Sequence, residues 1–268
     1  MPVGVYAVIR LFAALLILLC PPAAAEEALP AWQANAVEVD LPDYVAPMIA
    51  IVIDDMGVNR KMTRKAIELP APITASFLPY AGNLESQTAR AKAAGHELML
   101  HLPMQPFSPH KNAGPGALTT DMSESEIYAA LDNALAAFDG KVGINNHMGS
   151  RFTANPDLMR IVLDELNRRG LLFLDSVTSK YSVGYETARE IGMPAAKRQV
   201  FLDNTAQEIP ARLKELERYA SKHGAAIGIG HPRKATVEAL QNWMPDAAER
   251  GFVFVPVSTI AAHQADEE

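Results

Sequence analysis

Cysteine is nearly absent from this sequence: Cys20 is the one cysteine among 268 residues. It lies in an N-terminal segment that we expect to be removed. The mature chain would then have neither a disulfide nor a thiol nucleophile, and its hydrophobic core alone would have to stabilise it.

Basic residues are also in the minority. The sequence has 24 lysines and arginines against 31 aspartates and glutamates, which gives a net charge of −7. An acidic chain is poorly suited to bind nucleic acid or an acidic membrane surface. We therefore expect neither as a partner.

Long apolar runs are missing except near the N-terminus. The run LFAALLILL at 11–19 follows Arg10 and precedes AAA at 23–25. It is shorter than the roughly 20 residues that span a bilayer, and its flanks are typical of a secretory signal. We expect residues 1–25 to be a signal peptide and the protein to be exported to the periplasm or the extracellular space. An uncleaved anchor stays open, as does lipidation of Cys20, although the bulky ILL before Cys20 disfavours lipidation.

The rest of the chain divides by composition. Residues 26–47 contain three spaced prolines (30, 42 and 47) and show no clear period, which indicates a linker or N-terminal arm. Residues 48–260 are long enough for one large domain. The polar end, 261–268, is expected to be a disordered tail.

Strand-like and helix-like segments alternate through 48–260. The expected strands are 48–53, 73–78, 97–102, 142–146, 171–175, 198–203, 225–230 and 252–257. Most are continuous apolar runs, as in parallel strands covered on both faces. The pattern predicts an α/β fold, a distorted or incomplete (β/α) barrel of seven to eight parallel strands. A doubly wound open sheet is the competing architecture.

Polar side chains stand where these strands end. They are Asp54, Asp55, His101, Asn145, Asn146, His147, Asp175, Asp203, His231 and Ser258. In a barrel these ends face one mouth, where barrel enzymes carry out their chemistry. Each residue alone could cap a helix or tie a loop. Together they predict one shared site, because charged groups are rarely buried unpaired.

Two histidines and an aspartate form a common catalytic zinc set. Asp55, His101 and His147 could converge from the first, third and fourth strands on a divalent metal, with zinc as the expected ion. Neighbouring residues of a strand point to opposite faces. Asp54 and Asp55 can therefore both serve only if the chain already turns near Met56. His96, five residues before His101, should lie on the other face and be structural.

The remaining polar residues suggest acid–base and binding roles. Asp54 would be a general base and His231 a general acid, with Asp203 or Asp175 orienting the imidazole of His231. We expect a second set of side chains to bind the substrate. This set is Asn145, Asn146, Arg151 and Arg233.

Six blocks of this sequence resemble the divergent polysaccharide deacetylase family, a remote relative of the NodB-type carbohydrate esterases. The blocks are IAIVIDDMG, LMLHLPMQP, GINNHMGSRFT, LFLDSVTSK, KRQVFLDNTAQ and IGIGHPRKATVEAL, in that order between about 48 and 260. The resemblance implies a distorted (β/α) barrel and metal-dependent removal of acetyl groups from an acetylated polysaccharide.

The resemblance also implies roles for single residues. In NodB-type enzymes two consecutive aspartates supply the base and a metal ligand, and they match Asp54 and Asp55. A histidine late in the sequence acts as general acid, and it matches His231. Two histidines four apart complete their metal site. His101 matches the first, but Gln105 stands in the place of the second, so His147 is the expected replacement.

Two alternatives to a deacetylase remain open. One is a catalytically inactive glycan-binding or regulatory envelope protein on the same fold. The other is a metal-dependent hydrolase of another ester, including phosphoesters. Neither the glycan nor the oligomeric state follows from the sequence.

Overall fold

A computed structural model describes Met1 and residues 29–42, 46–70 and 72–266. The expected signal peptide falls almost entirely outside these residues. Within them, the strands are β1 (Met48–Met56), β2 (Thr74–Phe77), β3 (Glu97–Met104), β4 (Gly143–Met148), β5 (Leu172–Asp175), β6 (Ala195–Lys197), β7 (Val200–Phe201), β8 (Ala225–Gly230) and β9 (Val253–Phe254).

The helices of the described residues lie mostly between the strands. They are α1 (Ala31–Ala34), α2 (Arg60–Ile67), α3 (Leu84–Ala93), α4 (Glu124–Leu135), α5 (Pro156–Arg168), α6 (Gly184–Glu190), α7 (Ile209–His223), α8 (Lys234–Glu249) and α9 (Val257–Asp266). Two helix starts follow from their caps. Ser123 and Glu126 form the predicted capping box of α4, and Asn155 caps α5 with Pro156 in its first turn.

All strand pairs are parallel, and the strands follow the order β6-β5-β4-β3-β2-β1-β8-β7, with β9 beside the first residues of β1. Among the described residues no pairing joins β6 to β7, so the sheet curls into a half-barrel that stays open there. The predicted incomplete (β/α) barrel is therefore confirmed, and the open doubly wound sheet is not observed.

Side chains alternate between two cores, as the period of two in a strand requires. Ile49, Ile51 and Ile53 of β1 pack under the helices. Ala50 and Val52 point into the curl of the sheet, where Val257 and Ile260 of α9 join them. Asp54 continues this inner face, so the pleat itself directs a carboxylate to the mouth.

Several predicted segments differ from the structure. The sixth predicted strand shortens to Val200–Phe201, and β6 before it was not predicted. The eighth shortens to Val253–Phe254, because α9 begins at Val257 and continues to Asp266. The segment 261–266, expected to be disordered, is therefore helical. Ser258 is buried in α9 and does not lie at the mouth.

A polar cluster lies at the opposite end of the curl, where the strands begin. Glu97 Oε1 accepts hydrogen bonds from Thr74 Oγ1 (2.9 Å) and from the backbone N–H of Ser258 (3.3 Å). Glu97 is fully buried, and the burial raises its pKa to about 6. The cluster fastens the start of α9 to the sheet.

The N-terminal arm packs on the domain where it is described. Trp32 donates its backbone N–H to Gly170 O (2.8 Å), and the Asn35 amide donates to Lys141 O (3.2 Å). Trp32 and Val39 pack against the inner core. None of the helices in the described residues is long and apolar enough to cross a membrane.

Candidate metal and acid–base site

The two aspartates that end β1 both face the site because the strand bends at Asp55. Asp55 has φ +56°, and the pairing of β1 with β2 shifts register between Ile53 and Met56. Asp54 points inward by the normal alternation, and the bend turns Asp55 back toward the same side. The predicted turn therefore occurs one residue earlier than Met56, at Asp55 itself.

His101 and His147 reach the site from neighbouring strands. β3 pairs with β4 so that His101 lies beside Asn145 and Pro103 beside His147. These positions share one face of the sheet, and the two imidazole rings meet edge to face at 4.8 Å. His101 is 2% exposed, whereas His147 is partly open to the mouth.

Three nitrogen and oxygen atoms converge from these side chains. Asp55 Oδ1 lies 2.9 Å from His147 Nδ1 and 3.3 Å from His101 Nε2, and the two nitrogens are 3.1 Å apart. Ligand atoms of one tetrahedral zinc ion lie roughly 3.3 Å from one another. The separations in the structure are within a few tenths of an ångström of that spacing.

The donors also fit a metal chemically. Asp55 Oδ1 is buried, and although both imidazole nitrogens are close to it, neither meets it with good hydrogen-bond geometry. Burial would raise the pKa of Asp55, but the imidazoles of His101 and His147 outweigh this effect and hold the pKa well below its usual range. An ionised carboxylate beside two imidazole nitrogens is a suitable donor set for zinc.

Asn145 fixes the orientation of this group. Its Nδ2 donates to Asp54 Oδ1 (2.8 Å) and Ser176 Oγ (3.1 Å), so its Oδ1 is the acceptor end. That oxygen lies 2.5 Å from Ser76 Oγ and 3.0 Å from His101 Nδ1. His101 therefore donates from Nδ1, which leaves the lone pair of Nε2 directed at Asp55 and His147.

Gln105 does not contribute to the cluster. β3 stays extended through Pro103 to Met104, so no helical turn brings residue 105 above His101. The Gln105 side chain accepts hydrogen bonds from Thr120 N (2.8 Å) and Thr120 Oγ1 (2.9 Å). Its role is to hold the loop after β3, and β4 supplies the second histidine instead.

His231 stands across the mouth with a carboxylate behind it. Asp203 Oδ1 accepts from His231 Nδ1 (2.8 Å), and Asp203 Oδ2 accepts from His231 N (2.9 Å) and Thr236 Oγ1 (2.7 Å). His231 Nε2 is left facing the site, 3.8 Å from Asp55 Oδ2. Burial lowers the pKa of His231, but Asp203 and the other carboxylates outweigh it and raise the pKa.

Asp54 is the second buried carboxylate of the site. It is 3% exposed, and Oδ2 lies 3.5 Å from His101 Nε2. Burial raises its pKa, an effect that His101 and His231 only partly offset. A carboxyl group whose pKa is moved toward neutral pH is suited to proton transfer.

Two expected site residues have other roles. Asp175 follows Phe173 on the helix-facing side of β5, and its carboxylate accepts from Val177 N, Ser182 Oγ and Tyr185 N. Asp175 thus holds a loop, and among the described residues Asp203 is the carboxylate that orients His231. Asn145 is fully buried and positions Asp54 and His101, so the structure does not support the expected substrate contact.

The other expected binding residues lie at the cavity wall or beside it. Asn146 lines the cavity but accepts from Ser176 N (2.9 Å) and donates to Met148 O (2.8 Å), which ties two loops together. Arg233 lines the cavity and is about half exposed. Arg151 does not line the cavity. Its guanidinium lies 5.9 Å from the ring centre of Phe107, and Phe107 does line the cavity.

The structure adds site residues that the sequence analysis did not identify. Ser76 and Ser176 contact Asn145, and Arg198 and Phe201 line the cavity. A signal for Ser76 existed, since Thr74 and Ser76 alternate with apolar residues in β2 and so occupy its inner face. Val177, with φ +48°, marks strain beside the site of the kind that binding sites often hold.

The cavity has a volume of about 800 Å³, within the range of small-molecule and oligosaccharide sites. The Asp/His/His cluster and the facing His–Asp pair lie at one mouth of a parallel α/β half-barrel. A structure described as T48 deacetylase with substrate shares this fold, with a TM-score of 0.51 and 14% identity over 84% of this chain and 95% of that chain.

Sequence comparison gives the family. The model of the divergent polysaccharide deacetylase family matches residues 51–261. The chain belongs to that family, which confirms the resemblance. An uncharacterised protein of Haemophilus influenzae is 36% identical over 200 residues, covering 74% of this chain and 71% of the relative. The crystal structure of an uncharacterised Agrobacterium tumefaciens protein matches with a TM-score of 0.83 and 30% identity, covering 87% of this chain and 95% of that chain.

Proposed function

We propose that this protein is an exported, metal-dependent hydrolase that removes acetyl groups from a polysaccharide of the cell envelope or the extracellular space. The observation that carries the proposal is the convergence of Asp55, His101 and His147 opposite the His231–Asp203 pair. Membership of a polysaccharide deacetylase family supports the substrate class.

Asp55, His101 and His147 would hold the metal, with zinc as the expected ion. A divalent metal there would supply a Lewis acid that polarises an acetyl carbonyl. Asp54, held by Asn145, would accept a proton from the attacking water. His231 would donate a proton from Nε2 to the leaving amine or alcohol, while Asp203 stabilises the imidazolium.

Acetate release tests this proposal. Metal-loaded protein is incubated with N- and O-acetylated polysaccharides, and acetate is measured with an enzymatic assay. Wild type should release acetate, and His231→Ala should lower turnover roughly 10²–10⁴-fold at unchanged metal content. Lys234→Gln is the control, because Lys234 is exposed, pairs with Glu238 and does not line the cavity. Equal turnover of His231→Ala and wild type would place the acid elsewhere.

A glycan-binding protein without catalysis is the second candidate. The observation in its favour is Gln105, which occupies the place of a metal-binding histidine in NodB-type enzymes. Full metal loading with no acetate release from any polysaccharide, together with measurable glycan binding, would favour this function over hydrolysis.

A further inference from the structure

Four cations border the cavity, and among the described residues one of them, Arg212, forms close ion pairs. Lys111, Arg198, Arg212 and Arg233 all line it, although the whole chain carries a net charge of −7. Arg212 is neutralised, since it pairs with Glu215 (2.8 Å) and Glu208 (3.2 Å). The other three cations are not neutralised in this way.

Arg198 bonds only to uncharged acceptors among the described residues. Its Nε donates to Ser176 O (2.6 Å), and Nη2 donates to Val177 O (2.7 Å). These bonds fix the guanidinium at the cavity wall, 5.3 Å from the ring centre of Phe201, and leave Nη1 available. A guanidinium held in place by carbonyls keeps its full charge for a ligand.

Arg233 and Lys111 complete the charged border. Arg233 Nη1 donates to Asp203 O (2.6 Å) and is 3.8 Å from Asp203 Oδ1, which His231 already occupies. Lys111 is exposed and forms no ion pair with the described residues. Phe107, 46% exposed, adds an aromatic surface of the type against which sugar rings pack.

We infer that the glycan bound in this cavity carries anionic substituents, carboxylate or phosphate, which Arg198, Arg233 and Lys111 bind. This inference rests on the proposed function only in taking a glycan as the ligand. Cations at a cavity open to solvent contribute through both charge and hydrogen bonds, and their contribution falls with added salt.

Binding measurements test the inference without using turnover. Acetylated oligogalacturonides are compared with neutral acetylated xylo-oligosaccharides of equal length, and N-acetylglucosamine 1-phosphate is compared with N-acetylglucosamine. The two pairs test carboxylate and phosphate separately. Calorimetry is run on the protein as purified and after chelator treatment, so that binding of the anion to a metal is distinguished from binding to the three cations.

The anionic member of at least one pair should bind about tenfold more tightly with and without chelator, and the preference should shrink at high salt. Lys111→Gln and Arg233→Gln should each weaken anionic binding roughly three- to tenfold and leave neutral binding unchanged. Lys234→Gln should change neither. Arg198→Gln should also weaken anionic binding. Its melting temperature is compared with that of wild type, because Arg198 also bonds to Ser176 O and Val177 O.

Equal affinities for the charged and neutral members of both pairs would overturn the inference while leaving deacetylation intact. A preference that vanishes with chelator would also overturn it, because the metal would then be the anion site. Anionic binding that depends on Lys111 and Arg233 without any acetate release would support the inference and count against the proposed hydrolase.

Discussion

Removing the Asn145 amide should damage the site although Asn145 is fully buried and does not line the cavity. Asn145→Ala leaves the buried His101 Nδ1–H and Asp54 Oδ1 without partners, whereas the hydroxyls of Ser76 and Ser176 can rotate. Each unsatisfied buried group costs about 1–3 kcal/mol, so the free energy of unfolding should fall by about 2–6 kcal/mol. Loss of the group that orients His101 should weaken metal binding roughly 10–100-fold.

A matched variant separates this effect from general destabilisation. Asn155→Ala also removes an amide that accepts two backbone hydrogen bonds, from Asp157 and Leu158, but at the start of α5. It should cost about 1 kcal/mol and leave metal affinity unchanged. Unfolding in urea and competition with a chromophoric zinc chelator measure the two quantities. If Asn145→Ala binds zinc as tightly as Asn155→Ala, Asn145 does not control the imidazole of His101.

Three further outcomes are expected. His147→Ala should lose the metal, whereas Gln105→Ala should keep it. The reverse pattern in metal analysis would show that residue 105, and not His147, is the metal ligand that accompanies His101. Because burial raises the pKa of Glu97 from 4.5 to about 6, the folded state binds its proton more tightly than the unfolded chain. Stability should therefore fall by about 2 kcal/mol as pH rises from below 4.5 to above 6. Glu97→Gln should lack this part of the fall in urea unfolding at pH 4 and 7.5, and identical pH slopes would refute it. N-terminal sequencing of protein from the native host should find cleavage near Ala25, and an intact Met1 would count against export.

Strand alternation made part of the site predictable. His101 and His147 continue the inner faces of β3 and β4, and the sequence placed both at strand ends. The same alternation puts Asp175 on the helix-facing side of β5, since Phe173 packs under the helices. Asp175 therefore faces the helices, where it accepts from Val177, Ser182 and Tyr185.

Other features depend on contacts that a single sequence does not reveal. The bend at Asp55 requires a positive φ at a residue other than glycine, which only the surrounding structure enforces. Asn145 of β4 contacts Asp54, Ser76 and His101, which lie on β1, β2 and β3 and are distant from it in sequence. The apolar run at 252–257 resembles a strand, but α9 begins within it because its start is fastened to Thr74 and Glu97.

The central claim is that side chains from β1, β3 and β4 hold one metal ion. Anomalous diffraction from crystals of the metal-loaded protein, measured on both sides of the zinc absorption edge, tests it directly. We expect one peak about 2.0–2.2 Å from Asp55 Oδ1, His101 Nε2 and His147 Nδ1. A fully zinc-loaded protein with no peak at these three atoms would contradict it.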